Sequence, residues 1–357
     1  MKYIFYLFFL LLHFLVYSQN KETKSDSLYH LNPFIEDFSN QLNIKLDISD
    51  EQVEYYIPYE NDIKAEIITN LNISYGVVFS YKFLSVRLGI RPKLPESELE
   101  NKGETDRFRL RVKLLFDKWT HRFEYDYTRG FNIKNTNDFE PTAENSEFRI
   151  QFPYLTTNVF YGSSNYKFND NYSVKAIESN TEIQLKSAGT FLTGLDYALY
   201  FVKGTDQIKF ENQDINSRES YTEYTGFSPV LNASYHYTFV FHKYWYANIY
   251  GNPRIGIHFT NANFFNDNTF TSSNNTLVSV TFETGVSAGY NGKKIYFGGE
   301  FKYQLNGNKY DEDFISLQHI KNNFYLFFGY RFKAPKQVRK PVEYIENKVP
   351  VLKNKKN

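Results

Sequence analysis

From Arg107 to Thr128 the chain alternates almost without interruption. Phe108, Leu110, Val112, Leu114 and Phe116 are interleaved with Arg107, Arg109, Arg111 and Lys113. After Asp117-Lys118, Trp119, His121, Phe123, Tyr125 and Tyr127 are interleaved with Thr120, Arg122, Glu124, Asp126 and Thr128. A period of two belongs to a strand, whose successive side chains point to opposite faces. Folding the segment about a two-residue turn at Asp117-Lys118 sets Arg111 opposite Glu124 and Arg109 opposite Asp126. The same register pairs Val112 with Phe123 and Leu110 with Tyr125 on the other face. Opposed charges of this kind stabilise a hairpin by about 0.2–1 kcal/mol per pair. One face is apolar and the other fully charged, so these strands belong to a closed or two-faced sheet.

The pattern recurs along the chain. Ile73 to Tyr81 and Leu84 to Ile90 alternate in opposite phase on either side of Lys82-Phe83, as a tight hairpin requires. Val278 to Tyr290 and Ile295 to Leu305 flank Asn291-Gly292, a strong hairpin signal. A two-residue turn there would set Glu283 against Glu300. A four-residue loop, Asn291 to Lys294, sets Glu283 against Lys302 instead and is the expected form. Further strands are expected at 150–164, 172–180, 188–203, 226–241 and 244–260, with shorter ones at 41–48 and 53–58 and a last aromatic one ending at Phe332.

Period two alone does not separate a membrane barrel from a soluble sandwich, because the two differ only in which face is inside. Three features favour the membrane. The strands reach the length of about 9–11 residues that crosses a tilted bilayer. The apolar face is heavy in Phe and Tyr, as in an aromatic girdle. The chain carries no Cys and hence no disulfide framework. Its 41 Lys+Arg against 40 Asp+Glu give no basic excess for nucleic acid. The mean hydropathy of -0.53 argues against a bundle of membrane helices. The expectation is an all-β, antiparallel up-and-down transmembrane β-barrel of about 12 strands, with 10 to 14 compatible with the pattern. Short links at 82–83, 117–118, 242–243 and 291–294 read as periplasmic turns, and 92–105, 132–149, 261–275 and 306–316 as long outward loops. Links 165–171 and 204–225 fall on the wrong parity, from a miscounted strand or from 204–225 folding into the lumen.

Lys2, the apolar run Tyr3 to Tyr17 and Ser18-Gln19 have the parts of a cleaved export signal. The organisation read from the sequence is therefore a signal peptide at 1–18, an N-terminal periplasmic segment at 19–40, the barrel at 41–332 and a periplasmic tail at 333–357. The tail holds eight Lys/Arg against Glu343 and Glu346, with three prolines. It is expected to be extended, because it buries too little apolar surface to fold alone. It offers a periplasmic contact. Outer-membrane lipid and the barrel assembly machinery are the other implied partners.

Five strings carry a resemblance. They are Phe79-Ser80-Tyr81-Lys82-Phe83-Leu84-Ser85, Lys102-Gly103-Glu104-Thr105, Tyr127-Thr128-Arg129-Gly130-Phe131, Phe168-Asn169 and Gln184-Leu185-Lys186-Ser187-Ala188-Gly189. In this order they resemble the family called domain of unknown function 4421, from about Phe34 to Phe332. The resemblance implies an exported outer-membrane-type barrel of Gram-negative bacteria with no assigned activity, so no site residues are carried over.

No HExxH or phosphate loop is present, and no catalytic residue, cofactor or metal ligand is read from the residues. Of the mature histidines, His121 lies on the lipid-facing parity, His242 in a turn, and His236 and His258 on barrel walls, without spacing that selects a partner for them; His30 and His319 complete the set. The distinctive constellation is Arg107, Arg109, Arg111, Lys113, Arg122, Glu124 and Asp126. Facing a lumen, it is either a charged pore wall or a self-satisfying ladder of salt bridges. The functional expectation is a pore, a small-solute passage or a structural part of the envelope. The alternatives are a barrel-embedded lipid hydrolase and a soluble exported all-β binding protein.

Overall fold

The alternating segments close on themselves. The computed structural model describes residues 32–348 apart from 51–52, 59–63, 72, 91–92, 141–146, 205–206, 211–212, 217–219, 267–268, 307–315 and 320–321. The export signal at 1–18 and His30 lie outside the described residues. Twelve wall strands run antiparallel. Strand 1 covers Gln41–Asp50 and Val53–Pro58, strand 2 Lys64–Ile68 and Ser74–Tyr81, strand 3 Leu84–Ile90, strand 4 Asp106–Leu115, strand 5 Trp119–Ile133 and strand 6 Gln151–Lys167. Strand 7 is Ala188–Lys203 with Gln207–Phe210, and strand 8 is Gln213–Asn216 with Ser220–Phe241. Strands 9, 10 and 11 are Trp245–Asn266, Thr269–Asn291 and Ile295–Asn306, and strand 12 is Ser316–His319 with Asn322–Lys333. Each strand pairs with the next and strand 12 meets strand 1, which closes the barrel.

The apolar rows point outward. Phe108 is 53 % exposed and Arg109 beside it 7 %; Leu231 is 62 % exposed and Asn232 6 %. This is the membrane orientation of a barrel, not the inward-facing one of a sandwich. The hairpin of strands 4 and 5 has the expected register, with Arg111 opposite Glu124 and Arg109 opposite Asp126. At His242-Lys243 both residues take positive φ, 44° and 71°, as a type I′ hairpin turn requires.

Five local expectations are corrected. Residues 172–180 form no strand. Ser173 caps a short helix, Val174–Glu178, its hydroxyl accepting from the Ala176 N–H at 2.9 Å. Asn180, at φ 57°, turns the chain out of it. Tyr172, Val174 and Ala176 imitate a strand's alternation, and the cap overrides it. With that strand removed, every connection falls on its proper side of the barrel. Among the described residues of 204–225, Gln207–Phe210 pairs with Gln213–Asn216 as an extension of the wall and not within the lumen. The 261–275 loop is mostly strand, because strands 9 and 10 pair as far as Asn266 and Thr269. The loop between strands 10 and 11 sits one residue later than expected, Asn291 pairing with Tyr296, so Glu283 faces Gln304 and not Lys302. The basic tail, taken by itself, is a helix over Lys336–Lys348 and not an extended segment.

Wall height is uneven. Strands 9 and 10 hold 22 and 23 residues, about twice what a bilayer needs. Strand 3 holds only 7. Above strands 3 and 4, strand 2 leans across and pairs directly with strand 5, Ile67 opposite Ile133.

Candidate functional site

The segment 168–187 between strands 6 and 7 turns inward and plugs the lumen at the short-turn end. Tyr172, Ala176, Asn180, Thr181 and Ile183 are almost wholly buried there. Glu182–Gln184 forms a two-stranded sheet with Ile35–Asp37, which brings the segment before strand 1 into the plug. The Gln184 side chain ties this assembly together: its amide donates to the carbonyls of Asn171 (2.7 Å), Lys186 (3.0 Å) and Phe34 (3.3 Å), and its oxygen accepts from the Ser173 N–H.

The wall grips the plug from around its circumference. Lys45 of strand 1 donates to Asn180 Oδ1 at 3.3 Å, Asn248 of strand 9 to the Tyr172 hydroxyl at 3.0 Å, and Asn291 of strand 10 to the Glu182 carbonyl at 3.0 Å. Arg331 of strand 12 donates through Nε and Nη2 to the Asn180 carbonyl and through Nη2 to Asn291 Oδ1. Lys113 of strand 4 and Arg122 of strand 5 both meet the Glu178 carboxylate. Burial acts to raise the Glu178 pKa, but Lys113, Arg122 and Lys302 more than offset it and hold that carboxyl well below the usual range. Lys175 is likewise held above its ordinary value: burial opposes this, and Glu182 and Asp117 prevail.

The predicted charge cluster sits directly above. Arg107 forks onto Asp126 (Nε–Oδ1 2.9 Å, Nη2–Oδ2 2.5 Å), Arg109 Nε lies 2.9 Å from both Asp126 Oδ2 and Glu124 Oε1, and Arg111 Nε lies 2.5 Å from Glu124 Oε2. Three guanidinium groups thus share two carboxylates, while Lys113 and Arg122 turn down to the plug. Sequence reasoning missed the acid on the plug and two further pairs. Asp47 and Arg87, 0 % and 4 % exposed, meet at 2.7 Å. Arg254 Nη2 meets Asp196 at 2.8 Å and its Nη1 meets Glu283 at 3.2 Å. The Asp47–Arg87 pair spans strand 2 at Gly76, where a Cβ would lie 2.6 Å from both Arg87 Nε and Asp47 Oδ2. Only glycine leaves room for the pair.

Between the plug and these pairs lies a cavity of about 130 Å³, floored by Tyr172 and Glu178 and walled by Arg122, His236, Arg254 and Glu283. At the loop end the lumen is apolar. Ile67, Phe131, Ile133, Phe152, Leu155, Tyr200, Val202, Tyr224 and Ala262 pack there as one buried cluster.

Three imidazoles meet serine hydroxyls. His121 Nδ1 is 2.9 Å from Ser164 on the outer face, beneath Trp119, and His236 Nε2 is 3.0 Å from Ser234 in the lumen. His258 lies 2.8 Å from Ser228 and 2.6 Å from Ser279. Among the described residues no carboxylate orients any of the three. His242 is exposed in its turn, and the His319 side chain lies outside the described residues. Among the described residues no group of three or more His, Asp or Glu is placed to hold a metal ion.

The five strings of the sequence are structural. Ser80 and Ser85 bond across their hairpin at 2.8 Å. Thr105 donates to the Gly130 carbonyl at 2.8 Å, joining the second string to the third at a bulge where Gly130 has φ 84°. Asn169 donates to the Gly189 carbonyl at 2.7 Å, joining the fourth to the fifth at the plug's base.

Solved structures similar to this chain are membrane proteins at low identity. The outer membrane protease OmpT from Escherichia coli aligns at 8 % identity over 87 % of this chain and 100 % of that one, with a TM-score of 0.36. The β domain of the Bordetella autotransporter BrkA aligns at 11 % over 82 % and 99 %, with 0.38, and the translocator domain of NalP from Neisseria meningitidis at 8 % over 82 % and 88 %, with 0.39. No curated protein matches. The profile of the family described as Domain of unknown function (DUF4421) matches residues 24–332, and the chain belongs to that family.

Proposed function

We propose that the protein is an outer-membrane barrel closed along its axis, a structural part of the envelope rather than an open aqueous passage. The observation that carries this is the plug, gripped from strands 1, 4, 5, 9, 10 and 12. Two further features support it. The charged ladder is occupied by its own carboxylates, so it presents few free charges to a passing ion. The apolar cluster at the loop end forms a second layer, in series with the plug. A lipid hydrolase would need its imidazole oriented by an acid or amide. The outward His121 is instead surrounded by Trp119 and Phe116, with Ser164 on Nδ1.

The test is conductance of the refolded protein in planar bilayers. The expected result is no steady current at moderate voltage. A steady, salt-proportional conductance from the intact chain would overturn the reading.

A further inference from the structure

We infer that the seam between strands 8 and 9 is a lateral portal, through which a small neutral hydroxyl-bearing molecule passes between the bilayer and the lumen cavity. This goes beyond axial closure, since a barrel sealed at both ends can still exchange material through its wall.

The seam is weakened at two places. Pairing between strands 8 and 9 runs to Phe227–Phe259, resumes only from Val230–Gly256 to Asn232–Arg254, and resumes again at Tyr235–Gly251. Each gap contains one proline, Pro229 in the first and Pro253 in the second. A proline lacks the N–H that a ladder needs and is unusual within a central strand. Both rings act on this seam alone, because Pro229 pairs regularly with Tyr197 on its other side and Pro253 with Phe282. Between the gaps three residue pairs hold the two strands in register, and across the first gap the Ser228 hydroxyl and His258 Nδ1 bond at 2.8 Å, so the second gap is the weaker of the two.

The cavity lies against the second gap: Ser234, Asn252 and Arg254 all line it. Asn252 Oδ1 and Arg254 Nε are buried atoms without a hydrogen-bond partner. They stand two residues apart on one strand and so share a face. One is an acceptor and the other a donor, and each is unfavourable while unmet. A hydroxyl satisfies both, donating to Asn252 and accepting from Arg254. An anion is disfavoured, because Arg254 already has Asp196 and Glu283 beside it. His236 and Tyr250, stacked at 4.7 Å and 12°, provide a flat apolar wall. The cavity, about 130 Å³, is close to the roughly 150 Å³ that houses a benzene ring. The matching ligand is one ring in size with one hydroxyl.

Phenol is the probe, with benzene as the analogue lacking the hydroxyl. The chain has no cysteine, so Ala233→Cys with Pro253→Cys places a single disulfide across the second gap. Phenol binding to the full-length protein in micelles is followed by calorimetry and stopped-flow fluorescence. The expected results are saturable phenol binding, benzene at least tenfold weaker, and phenol association at least tenfold slower in the oxidised double variant, restored by reduction. Asn252→Ala lowers phenol affinity without slowing association. Should the cysteine variant fail to fold, Pro229→Ala with Pro253→Ala returns two ladder donors and slows association in the same way. Absence of saturable phenol binding, or association that neither the disulfide nor the restored ladder slows, would overturn the portal. Neither result bears on conductance along the axis.

Discussion

The Asp47–Arg87 pair and Gly76 form a unit whose energetics can be worked out in sign as well as size. The two side chains are 0 % and 4 % exposed, and three guanidinium–carboxylate contacts of 2.7 to 3.2 Å join them across strand 2. Removing one partner strands a buried charge, so Asp47→Ala or Arg87→Ala is expected to cost about 3–5 kcal/mol. Removing both costs less than the sum, because no charge is left alone. Gly76→Ala forces a methyl to within 2.6 Å of Arg87 Nε in the intact protein, an overpacking cost of about 1–3 kcal/mol. With both charged side chains truncated, that space is empty. The same change then gains the roughly 0.5–1 kcal/mol by which alanine exceeds glycine in a strand. The sign of Gly76→Ala should therefore reverse between the two backgrounds. Reversible urea unfolding in phospholipid vesicles, read by Trp119 and Trp245 fluorescence, measures the wild type and the five variants. A Gly76→Ala cost of equal size and sign in both backgrounds would refute the reasoning that the pair dictates the glycine.

Two further outcomes are expected. Glu178→Gln should loosen the plug by about 1–3 kcal/mol, below the full cost of a broken buried pair because Lys113, Glu178 and Arg122 are 17 %, 28 % and 32 % exposed; faster native-state proteolysis between 172 and 185 reads it. Since the folded pKa of Glu178 is depressed, its contribution is full above the unfolded value of about 4.3 and is lost as pH falls below it; the difference between wild type and Glu178→Gln should therefore vanish in acid, and a difference that persists there would count against the assignment. Leu231→Arg, at an outward position, should cost about 2–4 kcal/mol in vesicles if that face meets the bilayer midplane, whereas a near-neutral effect would place the face in water.

What was legible in the sequence follows the range of the interactions. The register of Arg109 and Arg111 against Asp126 and Glu124 could be written down because a two-residue turn joins the strands. The ring of outward aromatics and the number of strands follow from period two. The plug could not be read this way. Tyr172, Val174 and Ala176 alternate like a strand, and only the Ser173 cap, a signal that was present, marks the helix. Its wall contacts join residues far apart in sequence, Arg331 to Asn180 and Lys45 to Asn180, and exist only once strand 12 has met strand 1. Asp47 and Arg87 were equally hidden, being two strands apart with a glycine between them. The loop after Asn291 falls one residue later than charge pairing within the hairpin predicts, because that pairing does not include the strand on the other side of Glu283. In the folded barrel Glu283 takes Tyr250 and Arg254 from strand 9 instead, at 2.9 and 3.2 Å.

The tall strands change solvent along their length, and their side chains record where. In the middle of strands 7 to 9, Leu195, Leu231 and Ile255 face outward while Asp196, Asn232 and Arg254 face the lumen. Nearer the loops the pattern inverts. Val202, Tyr224 and Ala262 are buried inside, while Lys203, Glu223 and Asn261 lie on the outer face, Lys203 and Glu223 pairing at 2.7 Å. Asn261 bonds Ser272 and Asn274 at 2.9 Å on that outer surface. Inside a bilayer the apolar face must point out, and above it the same strand behaves as one in a soluble protein, with its core enclosed. The crossover falls at Phe201, Phe227 and Phe259, outward aromatics that sit where a girdle marks the edge of the hydrocarbon. A single rule thus explains both fillings of the lumen: charged pairs where lipid takes the apolar side chains, and an apolar cluster where water takes the polar ones.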